Sequence, residues 1–289
     1  MKRVFTYSID RQVSIKNFLK EHHYSRDIMV FLRKDESRVL LNGKPSKLNV
    51  IADNNDKLEI IFEEAIQDSI VETEMPLDIV YENEDIVIIN KQASLPVHPS
   101  KGNYDHTLAN AFAFHYHSQI PFRCINRLDK DTTGLTIIAK NMYAASLYTG
   151  EMLKREIKRT YLAIVEGITD EKGIVEAPIA RIGETIMRTV DYENGEYALT
   201  EYRKIKDLNG KNLSLIELHL HTGRTHQIRV HMKHLHHPII GDSLYNPDYT
   251  YIARQALHAW KLEFRDPFTH EHVTVTADLP EDMKRVLED

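Results

Sequence analysis

A change of pattern near Pro76 divides the chain into two units of unequal size. Residues 66–76 (IQDSIVETEMP) are acidic and have no clear periodicity, which is typical of a linker. Residues 77–289 then alternate short strand patterns with helical patterns. They predict one α+β domain with a mostly antiparallel mixed sheet and flanking helices, preceded by a smaller α+β unit in residues 1–65.

The larger unit contains several segments whose type is clear from periodicity or from turn residues. Helices are predicted within residues 106–117 and 141–157, the second with Asn141 as its cap. A hairpin is predicted around residues 82–85. The Asn209-Gly210 pair predicts a turn between two long strands, because both residues accept the backbone angles of a tight hairpin.

The smaller unit is basic, although the whole chain carries a formal charge of −6. Residues 1–50 contain 11 Lys and Arg against five acids, a net charge of +6. Such a basic unit joined to an acidic body indicates either a local phosphate-binding face or an ordinary solvated surface. Helical spacing, a cap at Ser25 and an Asn42-Gly43 turn give this unit its α+β pattern.

Composition excludes several classes of protein. The single cysteine, Cys124, rules out an intramolecular disulfide and a multi-cysteine zinc site, and suits a reducing cytoplasm. No apolar run approaches the roughly 20 residues that a membrane helix needs. The histidines at 231, 234, 236 and 237 match no metal-binding spacing. We therefore expect a soluble cytoplasmic protein without a metal.

Two polar islands are poorly explained by packing. Residues 126–135 (NRLDKDTTGL) form a charged loop before the apolar strand TIIAK, and residues 222–231 (TGRTHQIRVH) lead from a strand into a helix rich in donors. A loop carboxylate beside the arginines of the second island would stay ionised and could act as a nucleophile. The same pattern also fits a structural Asp–Arg bridge with solvated charges around it.

Three motifs resemble the RluA/RluD-type family of pseudouridine synthases. They are RLDKDTTGL followed by IIAKN, KRTYLAIVEG, and TGRTHQIRVHM, with weaker echoes in EDIVIINKQASLPVHP and RQALHAWKLEFRDP. The resemblance covers about residues 75–285. The first unit is more loosely similar to the S-four-like RNA-binding domain. The family implies a pseudouridine synthase fold and an isomerase that turns selected uridines of structured RNA into pseudouridine.

The resemblance assigns a catalytic role to three residues. Asp129, rather than the neighbouring Asp131, would be the nucleophile, attacking either the ribose anomeric carbon or C6 of the base. Tyr161 would stack on the flipped base and take part in removing the C5 proton. Arg229 would pair with the Asp129 carboxylate and hold it ionised. The carboxylate step parallels covalent glycosidase chemistry, and base flipping makes the buried uridine accessible.

The resemblance also implies how the RNA is bound. Arg127 would help to extrude the target base or fill the space that it leaves. Arg224 would contact phosphate or shape its motif, and Ile228 would line the substrate site. No cofactor or metal is implied, and the expected partner is rRNA or tRNA, with no DNA, bound by a monomer. An idle RNA-binding factor and a sugar hydrolase are the alternative functions.

Two departures from the family pattern occur near the active loop. Asn126 stands where the family usually has His, and residues 91–94 read Lys-Gln-Ala-Ser instead of Lys-Pro-Ala-Gly. Neither departure touches the three residues to which the resemblance assigns a catalytic role. We therefore expect an active enzyme.

Overall fold

The computed structural model describes residues 2–64 and 70–288. Residues 2–63 contain two short helices and a four-stranded sheet, ordered β1-β6-β3-β4. The elements are β1 (Lys2–Ser8), β2 (Val13–Ser14), α1 (Ile15–Glu21), α2 (Arg26–Arg33), β3 (Val39–Leu41), β4 (Lys44–Pro45), β5 (Ile51–Ala52) and β6 (Lys57–Glu63). A short 3₁₀ helix, Glu36–Arg38, precedes β3.

Local sequence explains how this unit starts and turns. The predicted cap is confirmed, because the Ser25 hydroxyl accepts the backbone N–H of Ile28 at the start of α2. The predicted turn between β3 and β4 is confirmed as well. Asn42 and Gly43 both adopt positive φ, 51° and 78°, which gives the tight hairpin its twist.

The larger unit is built on one mixed sheet with helices packed against it. Its strands are β7 (Ile79–Glu82), β8 (Ile86–Lys91), β9 (Arg123–Cys124), β10 (Thr133–Ala139), β11 (Lys158–Glu166), β12 (Lys172–Glu176), β13 (Ile179–Arg181), β14 (Arg188–Val190), β15 (Leu199–Leu208), β16 (Leu213–Leu220), β17 (Leu257–Arg265) and β18 (His272–Thr276). Its helices are α3 (Leu108–His115), α4 (Met142–Leu153), α5 (Gln227–His234) and α6 (Glu281–Glu288).

Among the described residues the main sheet has ten strands, with the order β12-β15-β16-β11-β17-β10-β8-β7 and β18 and β9 attached to β17 and β10. Every pairing in it is antiparallel except that between β10 and β17. The predicted α+β class with a mostly antiparallel sheet is confirmed. Strand β17 lies at the centre, between the strands that carry the two motifs RLDKDTTGL and KRTYLAIVEG.

An aromatic cluster joins the two units. Phe5 of β1 contacts Tyr143 of α4 edge to face at 4.9 Å and stacks on Phe268 at 5.4 Å. The guanidinium of Arg3 also donates two hydrogen bonds, 3.0 and 2.9 Å long, to the Asp85 carboxylate. Apolar and charged contacts together therefore hold the first unit against the second.

The predicted linker is only partly described, because residues 66–69 lie outside the described ranges. Its remaining part runs along α3, where Asn110 donates to the Val71 carbonyl at 2.7 Å and the Thr73 hydroxyl donates to the Asp105 carbonyl at 2.7 Å. The division at residues 65 and 77 stays a prediction. In residues 2–64 and 70–288, none of the helices has the length and apolar character needed to span a bilayer.

Candidate active site

A pocket of about 590 Å³ opens where β10 and β11 meet α5. It is lined by all six residues that the motifs indicated: Arg127, Asp129, Tyr161, Arg224, Ile228 and Arg229. These residues come from three separate segments of the sequence. Tertiary folding therefore brings the two islands and the tyrosine motif into one cavity of the size that small-molecule and base-binding sites occupy.

A close strand contact positions the Asp129 loop. Gly134, at the start of β10, has φ 105°, and a Cβ atom there would lie 2.2 Å from the carbonyl oxygen of Ala259. Only glycine fits, because any side chain would collide with the β17 backbone and would also strain its own. The loop that carries Asp129 is thereby tied to the central strand of the sheet.

Arg229 is shared between two carboxylates. Its Nε and Nη2 each donate a 2.7 Å hydrogen bond to Asp242, and its Nη1 donates a 2.8 Å hydrogen bond to Oδ2 of Asp129. Burial by itself would lower the pKa of the guanidinium, but the hydrogen bonds and charges of Asp242 and Asp129 raise it. Arg229, only 4% exposed, is therefore a permanent cation.

Asp129 keeps one oxygen free. Its side chain is 27% exposed, and its Oδ1 has no hydrogen-bond partner among the described residues. A carboxylate oriented through Oδ2 and open at Oδ1 has the geometry of a nucleophile next to a cation. By contrast, Asp242 is fully buried and accepts the backbone N–H groups of Leu244 and Tyr245 besides Arg229.

Tyr161 lines the same pocket from β11. The pairing with β17 shifts register between Thr160 and Tyr161, and such a bulge re-aims the following side chain. Burial raises the pKa of the Tyr161 phenol, with Arg159 opposing and Asp129 adding to the rise. At neutral pH the phenol is therefore protonated and uncharged.

Comparison with known proteins identifies the family of the chain. A family profile described as RNA pseudouridylate synthase matches residues 85–234. The chain belongs to this family, in its RluA/RluD-type branch. Its members are isomerases that convert uridine in RNA to pseudouridine. The matched segment includes Asp129, Tyr161 and Arg229.

Individual relatives cover most of the chain. An RNA pseudouridine synthase from Chlorobaculum parvum is 38% identical over 88% of this chain and 86% of its own length. The ribosomal large subunit pseudouridine synthase D of Haemophilus influenzae is 38% identical over 80% of this chain and 76% of its own. The solved structure of human RNA pseudouridylate synthase domain containing 1 has a TM-score of 0.60 at 27% identity, covering 70% of this chain and 83% of that one.

The first departure from the RluA/RluD-type pattern has a structural explanation. The Asn126 side chain donates to the Leu135 carbonyl at 3.1 Å and accepts the Ile137 N–H at 2.8 Å. One amide side chain thus bonds the backbone of β10 with both its donor and its acceptor. Asn126 therefore braces the base of the Asp129 loop.

The second departure is compatible with the loop as well. Ser94, at the usual glycine position, adopts φ 58°, in the left-handed region that glycine takes without strain. The Lys91 ammonium is buried and donates to the carbonyls of Gln92, Leu95 and Lys130 at 2.8, 3.0 and 2.8 Å. Burial lowers the pKa of Lys91 to about 7. These bonds tie the segment to the Asp129 loop.

Two residues that motif reading did not assign complete the surroundings of Asp129. His226 Nε2 lies 3.8 Å from Asp129 Oδ2, and His226 Nδ1 lies 3.0 Å from the Tyr245 hydroxyl. The same Tyr245 hydroxyl accepts the Arg188 N–H at 2.8 Å, so it links His226 to the segment that contains Arg188. Burial lowers the pKa of His226, in keeping with a neutral ring.

The sequence could have indicated part of the surroundings of Asp129. His226 lies inside the quoted motif TGRTHQIRVHM, beside residues that were assigned. Asp242 had only a general signal: a buried guanidinium carries five donors and needs more than one acceptor. Its position 13 residues after Arg229 matches no local rule. No sequence feature indicated that Tyr245 would lie beside the site.

The three predicted substrate-binding residues differ in whether their side chains already have partners within the protein. Arg127 is exposed at the pocket and has no carboxylate within 4.0 Å among residues 2–64 and 70–288. Arg224 is engaged, because it forms an ion pair with Glu196 and donates to the Tyr197 carbonyl at 3.0 Å. Ile228 is buried and forms part of the apolar wall. Arg224 thus holds the chain segment beside the pocket.

Proposed function

We propose that this protein isomerises selected uridines of large-subunit rRNA to pseudouridine with Asp129 as the covalent nucleophile. The observation that carries the proposal is the half-open Asp129 carboxylate, held through Oδ2 by Arg229 and free at Oδ1. Large-subunit rRNA is preferred to tRNA because the similar Haemophilus influenzae protein bears that substrate in its name.

The reaction can be written for attack at the ribose. Asp129 forms a bond to the anomeric carbon as the bond to N1 of uracil breaks, so uracil leaves as an anion within the pocket. The uracil rotates, its C5 bonds to the anomeric carbon, and Asp129 departs as a carboxylate. The C5 proton is lost and N1 gains a proton, so product and substrate have the same composition.

Attack at C6 of the base is the alternative, and both routes use the same residues. In that route Asp129 adds to C6 and the bond between N1 and the anomeric carbon breaks. The base turns while it is bonded to Asp129, C5 bonds to the anomeric carbon, and the carboxylate is released as C5 loses its proton and N1 gains one. Arg229 keeps Asp129 ionised and aimed in either case. The neutral Tyr161 ring supplies a stacking face, since a flipped base must regain the stacking that it loses.

Arg127 and the first unit have supporting roles in this proposal. Arg127 is unpaired at the pocket, as expected for a side chain that replaces the flipped base. The basic first unit, divergent but S-four-like, would bind RNA away from the pocket. We further propose that the protein acts as a monomer in the cytoplasm, where the single Cys124 suits the reducing conditions.

The test uses RNA labelled with tritium at uracil C5, because the reaction releases that label into water. Wild-type protein should release tritium from a large-subunit rRNA transcript and not from a pool of tRNA. Release from tRNA alone would reverse the substrate assignment. Absence of release from both RNAs and from total cellular RNA, with the fold intact by circular dichroism, would favour an idle RNA-binding factor.

A further inference from the structure

Two arginines at the corner between α4 and β11, Arg155 and Arg159, present positive charge to the pocket. The proposed catalytic residues do not use this charge. Five arginines line the pocket. Arg229 is neutralised by Asp242 and Asp129, and Arg224 by Glu196. Arg155 and Arg159, which flank the start of β11, have no carboxylate within 4.0 Å in the described part of the chain. No carboxylate of the described residues therefore neutralises these two side chains.

Arg155 occupies a position that usually belongs to glycine. Helix α4 ends with hydrogen bonds from Arg155 N to the Met152 carbonyl and from Glu156 N to the Glu151 carbonyl, 3.2 and 2.9 Å long. This is the Schellman pattern, in which the residue after the cap adopts left-handed angles. Arg155 does so with φ 67°, at a backbone cost that glycine would avoid. A strained side chain at a pocket is a reason to look for a function.

Arg159 is held against the second motif without being neutralised. Its Nη2 donates to the Thr222 carbonyl at 3.2 Å, and its Nε is buried without a partner. The missing side chain of Gly223 leaves room for it, because a Cβ atom there would lie 3.0 Å from Nη1 of Arg159. A buried N–H donor without a hydrogen-bond partner is costly, and Arg159 itself is only half-buried at the pocket.

An exposed apolar side chain lies at the same corner. Leu153, the last residue of α4, is 79% exposed and also lines the pocket. Guanidinium groups with an apolar neighbour suit a nucleic-acid backbone, whose phosphates alternate with sugars. A small carboxylate would use the charge but would leave Leu153 uncovered.

We infer that Arg155 and Arg159 bind consecutive phosphates of the RNA strand that carries the target uridine. The inference rests on the proposed function, because it requires RNA at this pocket. It adds a phosphate-binding wall to the catalytic residues. Each contact should release about one counterion on binding, which makes the affinity depend on salt.

The test is the salt dependence of binding to an in vitro transcript of large-subunit rRNA. The slope of log Kd against log [KCl] should fall by about one for Arg155→Gly and by about two for Arg155→Gly with Arg159→Gln. Arg155→Gly removes the guanidinium while easing the backbone, so its Tm should be unchanged or higher. A weakened slope therefore cannot result from misfolding.

The matched control is Lys154→Gln. Lys154 is the adjacent residue with the same charge, but it is 57% exposed, pairs with Glu151 at 3.0 Å and does not line the pocket. Its variant should keep the wild-type slope. If Arg155→Gly gave the same slope as wild type and Lys154→Gln, the inference would be overturned.

Tritium release from the same transcript separates the two proposals. If wild type releases tritium and Arg155→Gly has an unchanged salt slope, the proposed function is supported and phosphate binding by Arg155 and Arg159 is rejected. If the slope is lowered in Arg155→Gly but wild type releases no tritium, Arg155 and Arg159 are supported as RNA contacts and the proposed enzyme activity is rejected.

Discussion

At the scale of single residues, Asp129 is distinguished by its surroundings. The chain has 43 acids, and most carboxylates beside an arginine serve only as ion pairs. Arg229 gives two of its hydrogen bonds to the buried Asp242 and one to Asp129. Asp242 therefore forms the structural ion pair with Arg229. Asp129 is held through Oδ2, and its Oδ1 has no hydrogen-bond partner among the described residues, which is the geometry that a nucleophile needs.

Replacing Asp129 with Asn should abolish turnover while RNA binding is kept. The amide has the same shape but cannot form the covalent bond, so tritium release should fall by on the order of 1,000-fold or more. Asp131→Asn, in the same loop, is the control and should stay within about threefold of wild type, because the Asp131 side chain accepts only one long hydrogen bond, 3.4 Å from the Ser94 hydroxyl, which Asn can still accept. Equal losses in both variants would contradict the assignment.

Gly134 is predicted to be irreplaceable even by alanine. Because the added Cβ meets the β17 backbone at φ 105°, Gly134→Ala should lower the free energy of unfolding by about 2–6 kcal/mol. Urea denaturation measures the loss. Gly150→Ala, inside α4 with nothing within 4 Å of the new Cβ, should instead stabilise the protein by about 0.5–1 kcal/mol. Similar losses in both variants would refute the strand-contact explanation.

At the scale of elements, α6 braces the Asp129 loop from behind. Asp282 on this helix accepts two hydrogen bonds from Arg254, 2.7 and 2.8 Å long. Arg254 in turn donates to the Asp131 carbonyl at 3.2 Å, and Gln255 bonds the Thr132 hydroxyl at the same distance. The last helix of the chain thus supports the loop through a positioning residue.

Asp282→Asn should therefore reduce both stability and turnover. The change weakens a pair whose arginine is only 8% exposed, at a cost of about 1–3 kcal/mol in urea denaturation. The rate of tritium release should fall more than the affinity for RNA, because the displaced loop carries Asp129 and only one of the proposed RNA contacts, Arg127. Glu281→Gln, which breaks only the exposed pair with Lys284, should change neither quantity measurably. Equal behaviour of the two variants would disprove the brace.

At the scale of the whole molecule, the first unit is attached by packing as well as by the chain. Phe5 lies between Tyr143 and Phe268, and the Tyr143 hydroxyl donates to the His22 carbonyl at 2.8 Å. Deleting the unit would uncover this aromatic cluster. The RNA contribution of the first unit is therefore better tested by changing its charges than by removing it.

The exposed basic face of the first unit should contribute to RNA affinity. Lys16 and Lys20 are exposed one turn apart on α1, Arg26 begins α2, and none has a carboxylate within 4.0 Å among the described residues. Replacing all three with Gln should lower the slope of log Kd against log [KCl] by about two for the rRNA transcript.

A control with the same change in net charge uses basic residues that are already paired. Arg11, Lys47 and Lys57 lie within 4.0 Å of carboxylates in the same unit. Replacing these three with Gln should leave the salt slope within about 0.5 of wild type. A slope that is unchanged by the first triple variant, or lowered equally by both, would reject the basic face as a specific RNA contact.

Short-range rules sufficed for much of the fold. The Ser25 and Asn141 caps, the Asn42-Gly43 turn and the strands on either side of Asn209-Gly210 are set by neighbouring residues, and the structure contains each of them. The tight turn predicted at Asn209-Gly210 is wrong, because a short 3₁₀ helix, Asn209–Lys211, connects those two strands. Local rules could not give the order of strands. The position of β17 between β10 and β11 joins residues more than 90 positions apart, and only packing selects such a pairing.

The sequence by itself named the candidate residues of the pocket, because Asp129, Tyr161 and Arg229 lie in motifs that resemble those of the RluA/RluD-type family. Only the tertiary structure decided how their charges are shared. Asp242 divides the bonds of Arg229, while Arg155 and Arg159 at the same pocket have no carboxylate within 4.0 Å in the described part of the chain. The reason is physical: a buried charge is balanced by whatever the fold packs around it, and no local sequence rule specifies those neighbours.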